Sequence, residues 1–258
     1  MCQYVDTTCQ HTMKPDLHYT DPKLVSLYDA QNPRGIDTDF YLELACHTGA
    51  KNIIDLGCGT GILTRELYQP DRSIVGIDPS KEMIEYAKSR SGASDVAWRI
   101  GDASSIGVQN SDLITMSGNV SQVFLKDSDW LATLNHIYKC LRPGGILSFE
   151  SRNPDAKAWK LWTPEHTFNT VPSQYGPVDC WLELIKAANN LVHFKSHYTF
   201  TLSGEVVIVD SILRFRSWLE ISNSLKTSGF SVQNTWGTWK KDPFESDNPL
   251  MIFTAQRV

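Results

Sequence analysis

The chain has 258 residues, 41% of them apolar, and 24 basic against 29 acidic side chains, a formal net charge of −5. A chain of this length buries roughly 70–75% of its unfolded surface, so its stability needs neither disulfides nor a structural metal. The mild acidity lacks the footprint of a dedicated DNA binder, and no apolar run approaches the ~20 residues of a membrane helix.

Residues 1–21 are polar with little periodicity and are expected to be flexible; they lack the apolar stretch of a secretory signal. Pro22 to Asn32 carries apolar residues at Leu24, Val25, Leu27 and Tyr28, a short amphipathic helix. Phe40 to Cys46 predicts a second helix, capped by Asp37 or Thr38 and stopped near Gly49. From Lys51 strands and helices alternate: strand Asn52–Leu56, helix Thr60–Tyr68, strand Ser73–Ile77, helix Ser80–Ser89, strands Val96–Ile100 and Asp112–Met116, helix Trp130–Leu141, strand Gly145–Glu150. That alternation implies right-handed crossovers and a parallel sheet covered on both faces.

After residue 150 the rhythm changes. Pro177–Ala187, Leu191–Leu202 and Glu205–Arg216 are β-rich runs separated by the hairpin turns Asn189-Asn190 and Ser203-Gly204. They predict an inserted three-stranded antiparallel meander, followed by a last helix, Trp218–Ser228, and two terminal strands, Phe230–Gly237 and Leu250–Arg257. The fold class is therefore α/β: a doubly wound, Rossmann-like sheet of seven strands plus the meander. The expected domain is single, with a helical segment 22–50, a nucleotide-type core 51–151, a substrate-side insertion 152–216 and a C-terminal helix and strand pair 217–258. Six cysteines, Cys2, Cys9, Cys46, Cys58, Cys140 and Cys180, form no CxxC pair. They read as reduced thiols of a cytoplasmic protein with no metal site.

The sharpest motif is Asp55-Leu56-Gly57-Cys58-Gly59-Thr60-Gly61, which ends one strand and opens one helix. Glycines at alternate positions allow a tight reversal and let a ligand lie against the main chain. Asp78, nineteen residues past Gly59, ends the next strand, where a carboxylate can accept both hydroxyls of a ribose. The spacing is GxGxG rather than the dinucleotide GxGxxG, and Asp55 offers a carboxylate suited to a ligand ammonium. The structural alternatives are that Asp78 caps the helix beginning at Pro79 and that Asp55 bonds turn amides.

With these residues in order, the sequence resembles the class I S-adenosylmethionine-dependent methyltransferases. Asp55–Gly61 is similar to their first motif and Asp78 to their ribose acid. Gly101-Asp102-Ala103 is similar to their adenine-reading segment, and Leu141-Arg142-Pro143-Gly144-Gly145 to the turn before their fifth strand. The resemblance is firm over residues 52–150 and looser over the terminal helix and strand pair, and it implies that the last strand returns antiparallel. It also implies cofactor contacts from Tyr28, Asp55, Gly57, Cys58, Gly59, Gly61, Asp78, Pro79, Met83, Asp102, Ala103, Gly118 and Asn119. Tyr28 and Asn32 are then candidate lid residues, and the carbonyls at Gly118 and Asn119 candidate receivers of the methionine ammonium.

The implied activity is methyl transfer from S-adenosyl-L-methionine to a small molecule by in-line displacement, with no DNA or membrane partner and a monomeric or homodimeric state. The alternatives are an NAD-dependent oxidoreductase and a non-methylating S-adenosylmethionine-binding protein on the same fold. The titratable candidates for the acceptor side are His166, His193, His197 and Tyr198; Arg214 and Arg216 offer a clamp for an acidic substrate. On a strand His193 and His197 stand ~13 Å apart, too far for one metal ion, and their alternation reads as a solvated face. Trp159, Trp162 and Trp181 are candidate walls of an apolar pocket, and Cys58 reads as a small packing residue.

Overall fold

The computed structural model describes residues 15–107 and 110–258. Three helices come first, α1 (Leu17–Thr20), α2 (Pro22–Gln31) and α3 (Ile36–His47). The alternating core follows as β1 (Asn52–Leu56), α4 (Ile62–Glu66), β2 (Ser73–Asp78), α5 (Lys81–Lys88), β3 (Ala97–Ile100), β4 (Ser111–Met116), α6 (Asp127–Cys140) and β5 (Leu141–Arg152). Then come α7 (Pro164–Thr167), β6 (Asn169–Val171), β7 (Val178–Ala188), β8 (Leu191–Phe200) and β9 (Glu205–Arg214). The chain closes with α8 (Trp218–Thr227), β10 (Phe230–Trp236) and β11 (Leu250–Arg257).

Seven strands form one sheet in the order β10-β11-β5-β4-β1-β2-β3. β1 pairs in parallel with β2 and β4, whereas β11 is antiparallel to both β5 and β10, so the returning last strand is as expected. Ile53 and Ile54 are sequence neighbours whose side chains leave opposite faces of the pleat. Ile53 packs with Phe40, Tyr41, Leu63 and Leu67 of α3, α4 and the turn after it. Ile54 joins Trp130, Leu134, Ile137, Ile221 and Leu225 of α6 and α8. Both faces are covered, which explains why the central strands read as continuous apolar runs.

β5 begins earlier than its predicted Gly145 because Leu141 already pairs with Ser111; a register shift then brings Ile146 opposite Leu113. The Arg142–Gly145 turn is that irregularity, with Gly144 at φ 76°.

The second sheet, β6-β7-β8-β9, is antiparallel and has four strands where three were predicted. The additional strand is three residues long and pairs with the start of β7, too short for a pattern to reveal. Asn189 and Asn190 both adopt positive φ, 53° and 60°, the handedness that a tight two-residue hairpin demands.

Residues 1–14 of the segment expected to be flexible lie outside the described residues. The remainder is docked, contrary to expectation. Asp16 caps α1 through the His18 amide, and Asp21 caps α2 through the amides of Lys23 and Leu24. His18 shares hydrogen bonds with Ser196 (3.1 Å) and the Tyr198 hydroxyl (2.8 Å) of β8. The Ser80 hydroxyl at the head of α5 donates to the Tyr19 carbonyl. Leu24 and Leu27 enter a core with Val178, Tyr198 and Phe200 of the second sheet. The N-terminal helices thus tie the second sheet to the carboxyl end of β2.

Candidate functional site

Four loops at the carboxyl ends of β1, β2, β4 and β5 meet beneath these helices, the end of an open α/β sheet where ligands bind. In the first, Gly57, Gly59 and Gly61 all take positive φ, at 75°, 51° and 73°. Their surroundings differ in an informative way. A Cβ on Gly57 would lie 2.4 Å from Val120, and one on Gly61 2.3 Å from the Trp98 ring, so protein fills both spaces. A Cβ on Gly59 would meet only the Tyr28 ring at 3.9 Å, and one on Gly118 would meet nothing within 4 Å. The main chain at Gly59 and Gly118 therefore borders open space.

Asp78 is 8% exposed, and its two oxygens accept from the amides of Gly59 (2.9 Å) and Ser80 (2.8 Å). Burial raises its carboxyl above the usual range, against the pull of those two amides. Each carboxylate oxygen has a further lone pair, so the capping reading and the ligand reading are compatible. Pro79 is half-buried beside it; Met83 is fully buried within the first turn of α5, its amide capped by Ser80.

Asp55 is 1% exposed, and its oxygens accept from the hydroxyls of Thr64 (2.6 Å) and Thr115 (2.9 Å). Burial pushes its carboxyl up to about 6. The carboxylate ties the glycine turn to α4 and β4. Cys58 is buried, with its thiol pushed well above the usual range by desolvation and by Asp55. Asp102 turns one oxygen to the amide and hydroxyl of Ser104, capping a short turn that buries Ala103.

Asn119 sits at φ 62°, its amide donating to Glu150 and its side-chain Oδ1 buried without a partner among the described residues. Glu150, at the end of β5, also accepts from the Tyr41 hydroxyl of α3, and burial pushes its carboxyl up to about 7. Two residues on, and so on the same side of the strand, stands Arg152. Its Nη1 donates to Gln122 Oε1 at 3.0 Å, and its guanidinium lies over the Trp162 ring at 5.7 Å. Tyr28 completes the arrangement from α2: burial and the nearby charges of Asp78, Asp29 and Glu150 push its phenol up to about 12, with Arg152 opposing. The Tyr19 phenol is also raised well above its usual range, by burial and then Tyr28.

The other sequence candidates are dispersed. His166 is exposed on α7 and shares a hydrogen bond with Thr163. His197 stacks on Trp181 at 4.8 Å and pairs with Glu183; His193 pairs with Asp210. Both occupy the outer face of β8, as the alternation predicts. Tyr198 is on the inner face, but its hydroxyl is engaged by His18. Arg214 reaches Glu220 at 3.4 Å and Asp127 at 3.8 Å, and Arg216 binds Asp127 at 2.9 Å and the Phe124 carbonyl. These two arginines brace α6 and α8. Trp159 and Trp162 pack on Phe215 and Phe194, whereas Trp181 faces outward. Asn32 is exposed and caps the end of α2 by bonding the Tyr28 carbonyl.

Tyr19, Gln122, Glu150 and Arg152 escaped the sequence reading. A charged pair at the end of the apolar strand Gly145–Glu150 was the available signal.

Residues 53–145 match the model of a methyltransferase domain. A carboxy-S-adenosyl-L-methionine synthase from Shewanella sediminis is 33% identical over 186 residues, covering 68% of this chain and 74% of that one. The chain belongs to the class I S-adenosylmethionine-dependent methyltransferase family. A synthase of the same name from Actinobacillus succinogenes is 33% identical over 108 residues, where the match spans 44% of its length. Among solved structures, a methyltransferase from Clostridium acetobutylicum superposes with a TM-score of 0.73 at 17% identity, covering 89% of this chain and 96% of that one. An amino pentose methyltransferase from Micromonospora echinaspora with S-adenosylmethionine bound gives 0.64 at 16% identity, covering 90% and 94%. These two likenesses concern the fold.

The family's cofactor is S-adenosyl-L-methionine, and the methyltransferase core here fits it on its own geometry. The main chain at Gly59 and Gly118 borders open space, Asp78 has lone pairs left, and the buried Asn119 Oδ1 lacks a donor. Among the described residues no group of three His, Cys, Asp or Glu side chains stands ready for a metal, and no helix is long and apolar enough to cross a membrane.

Proposed function

We propose that this protein transfers a methyl group from S-adenosylmethionine to a small-molecule acceptor bound between the loops of the core sheet and the inner side of residues 152–216. The observation that carries the reading is Asp78, buried at the end of β2 and locked to the Gly59 amide at 2.9 Å, beside backbone that borders open space. In this reading Asp78 accepts the ribose hydroxyls, Asp102 and Ala103 address the adenine, and Gly118 and Asn119 receive the methionine ammonium. Gly57, Gly61 and Asp55 shape the turn from behind. Residues 22–50 act as the lid, 51–151 as the cofactor-binding core, 152–216 as the acceptor side and 217–258 as the closing helix and strand pair.

S-adenosylmethionine supplies a sulfonium methyl that is already electrophilic. The chain's own contribution is orientation and the exclusion of water, worth up to ~7–11 kcal/mol when alignment is ideal. Tyr28, set over Gly59 by α2, closes the turn, and α1 seals it through the bond from Ser80 to the Tyr19 carbonyl. A carboxylate or thiolate acceptor needs no base, and for a hydroxyl or amine the raised Glu150 carboxyl stands among these loops, whereas His197 and His166 are engaged elsewhere. The cysteines without CxxC pairing support a cytoplasmic setting.

Calorimetric titration with S-adenosylhomocysteine tests the reading: saturation in the micromolar range is expected, with Asp78→Ala weakening it at least tenfold. A flat titration of the unaltered protein refutes it.

A further inference from the structure

The half-buried arginines of this protein find different partners, and Arg65, Arg72, Arg99 and Arg257 each donate to a backbone carbonyl. Arg214 and Arg216 are matched by Asp127 and Glu220, and their charges are spent on holding helices. Arg152 is different. Among the described residues it forms no salt bridge; the amide oxygen of Gln122 takes its Nη1 and its backbone amide, at 3.0 and 3.5 Å. Arg152 is half-buried, and its Nε and Nη2 edge donates to no described residue.

A guanidinium enclosed on most sides is expensive to leave without a counter-anion. Burial here pulls the Arg152 pKa down, and Glu150 is the nearest compensating charge. Glu150 itself faces Tyr41 and the Asn119 amide, so its oxygens are committed elsewhere. The free Nε and Nη2 edge has the geometry for two parallel hydrogen bonds to a planar carboxylate. The Trp162 ring lies on the guanidinium face at 5.7 Å, and Trp162 packs on Phe194 at 4.7 Å while Trp159 packs on Phe215 at 4.7 Å. A polar edge thus adjoins aromatic side chains that pack on the inner side of the second sheet.

We propose that Arg152, oriented by Gln122 and Trp162, is the anchor for a carboxylate on the methyl acceptor, and that the acceptor is a small acid with an apolar or aromatic body. The inference rests on the methyltransferase reading for the word acceptor but not for the binding event itself. It moves the acid clamp sought at Arg214 and Arg216 to the end of β5, where the core sheet meets the inserted one.

Benzoate and indole-3-acetate are the probes, with benzamide and indole-3-acetamide as uncharged counterparts, titrated into protein saturated with S-adenosylhomocysteine. Each acid is expected to bind at least tenfold more tightly than its amide. Arg152→Gln should abolish that preference, and Arg152→Lys should retain part of it, since a point charge replaces the planar fork. The S-adenosylhomocysteine isotherm and the melting temperature of each variant report its folding. The proposal is overturned if no probe binds, if acids and amides bind alike, or if Arg152→Gln leaves the acids within twofold of the unaltered protein. Phenyl phosphate binding tenfold more tightly than benzoate would overturn the carboxylate assignment. Absence of an S-adenosylhomocysteine isotherm refutes the cofactor reading alone, and the acid titrations on ligand-free protein then decide the anchor separately.

Discussion

Glu150 titrates in an unusual place for a carboxylate. Burial pushes it up to about 7, against hydrogen bonds from Tyr41 and Asn119 that favour the anion. An unfolded glutamate titrates near ~4.3, so between the two values the folded chain holds the proton that the unfolded chain has lost. The sign follows: this group's contribution is most favourable below ~4 and declines as pH rises through 7, by up to about 4 kcal/mol. Asp55, pushed up to about 6, acts in the same direction. His18 acts in the opposite one, because burial lowers its pKa below 6.5 and its contribution is lost as pH falls. The difference between unaltered protein and Glu150→Gln isolates the carboxyl. Urea midpoints at about pH 5 and about pH 8 should show a decline attributable to Glu150 that the variant lacks; parallel pH profiles would show that the carboxyl does not titrate where its burial places it.

At the level of elements, α5 begins with a single side chain in two roles. The Ser80 hydroxyl accepts from the Met83 amide at 3.1 Å and donates to the Tyr19 carbonyl. Removing an N-cap costs ~1 kcal/mol. Ser80→Ala should therefore lower stability by at least that much and also free α1, seen as faster amide exchange in residues 17–31 with α6 unchanged. Uniform acceleration across both regions would show that only the cap is lost. The same elements show what the sequence disclosed. Strong periodicity placed every core strand, the Asn189-Asn190 hairpin and the returning last strand, because apolar alternation and turn chemistry are local. The glycine turn and Asp78 were legible for the same reason. Arg152 was not, because the Gln122 amide and Trp162 ring that define it lie 30 and 10 positions away, outside any strand or turn pattern that includes it. Arg214 and Arg216 misled for the converse reason: Asp127 lies 87 positions before the first of them in the chain, invisible to a local reading. β6 and α1 were too short to leave a pattern.

Across the whole molecule, the first described residues connect what the rest of the chain keeps apart. His18 joins Ser196 and Tyr198 of one sheet, while Tyr19 and Tyr28 close over the loops of the other. Protonation of His18 converts both ring nitrogens to donors and charges a half-buried ring, so acid should loosen this link before it unfolds the core. Amide exchange in residues 17–31, corrected for intrinsic rates, is expected to quicken relative to β4 between about pH 7 and about pH 5.5, and His18→Phe should remove that dependence. Equal acceleration in β4 would mean that acid acts on the molecule as one unit.

The helix that lays Tyr28 over Gly59 also contributes Leu24 and Leu27 to the core of the second sheet. A methyl donor beneath that tyrosine would press on α2, which bears on the sheet whose Phe194 packs against Trp162, so a guest there would feel it through β8. Thermodynamic reciprocity then governs the pair: whatever factor one occupant exerts on the affinity of the other is returned undiminished. Catalytic turnover would inherit a preferred sequence of arrivals and departures, set by a ten-residue helix that carries no reacting atom.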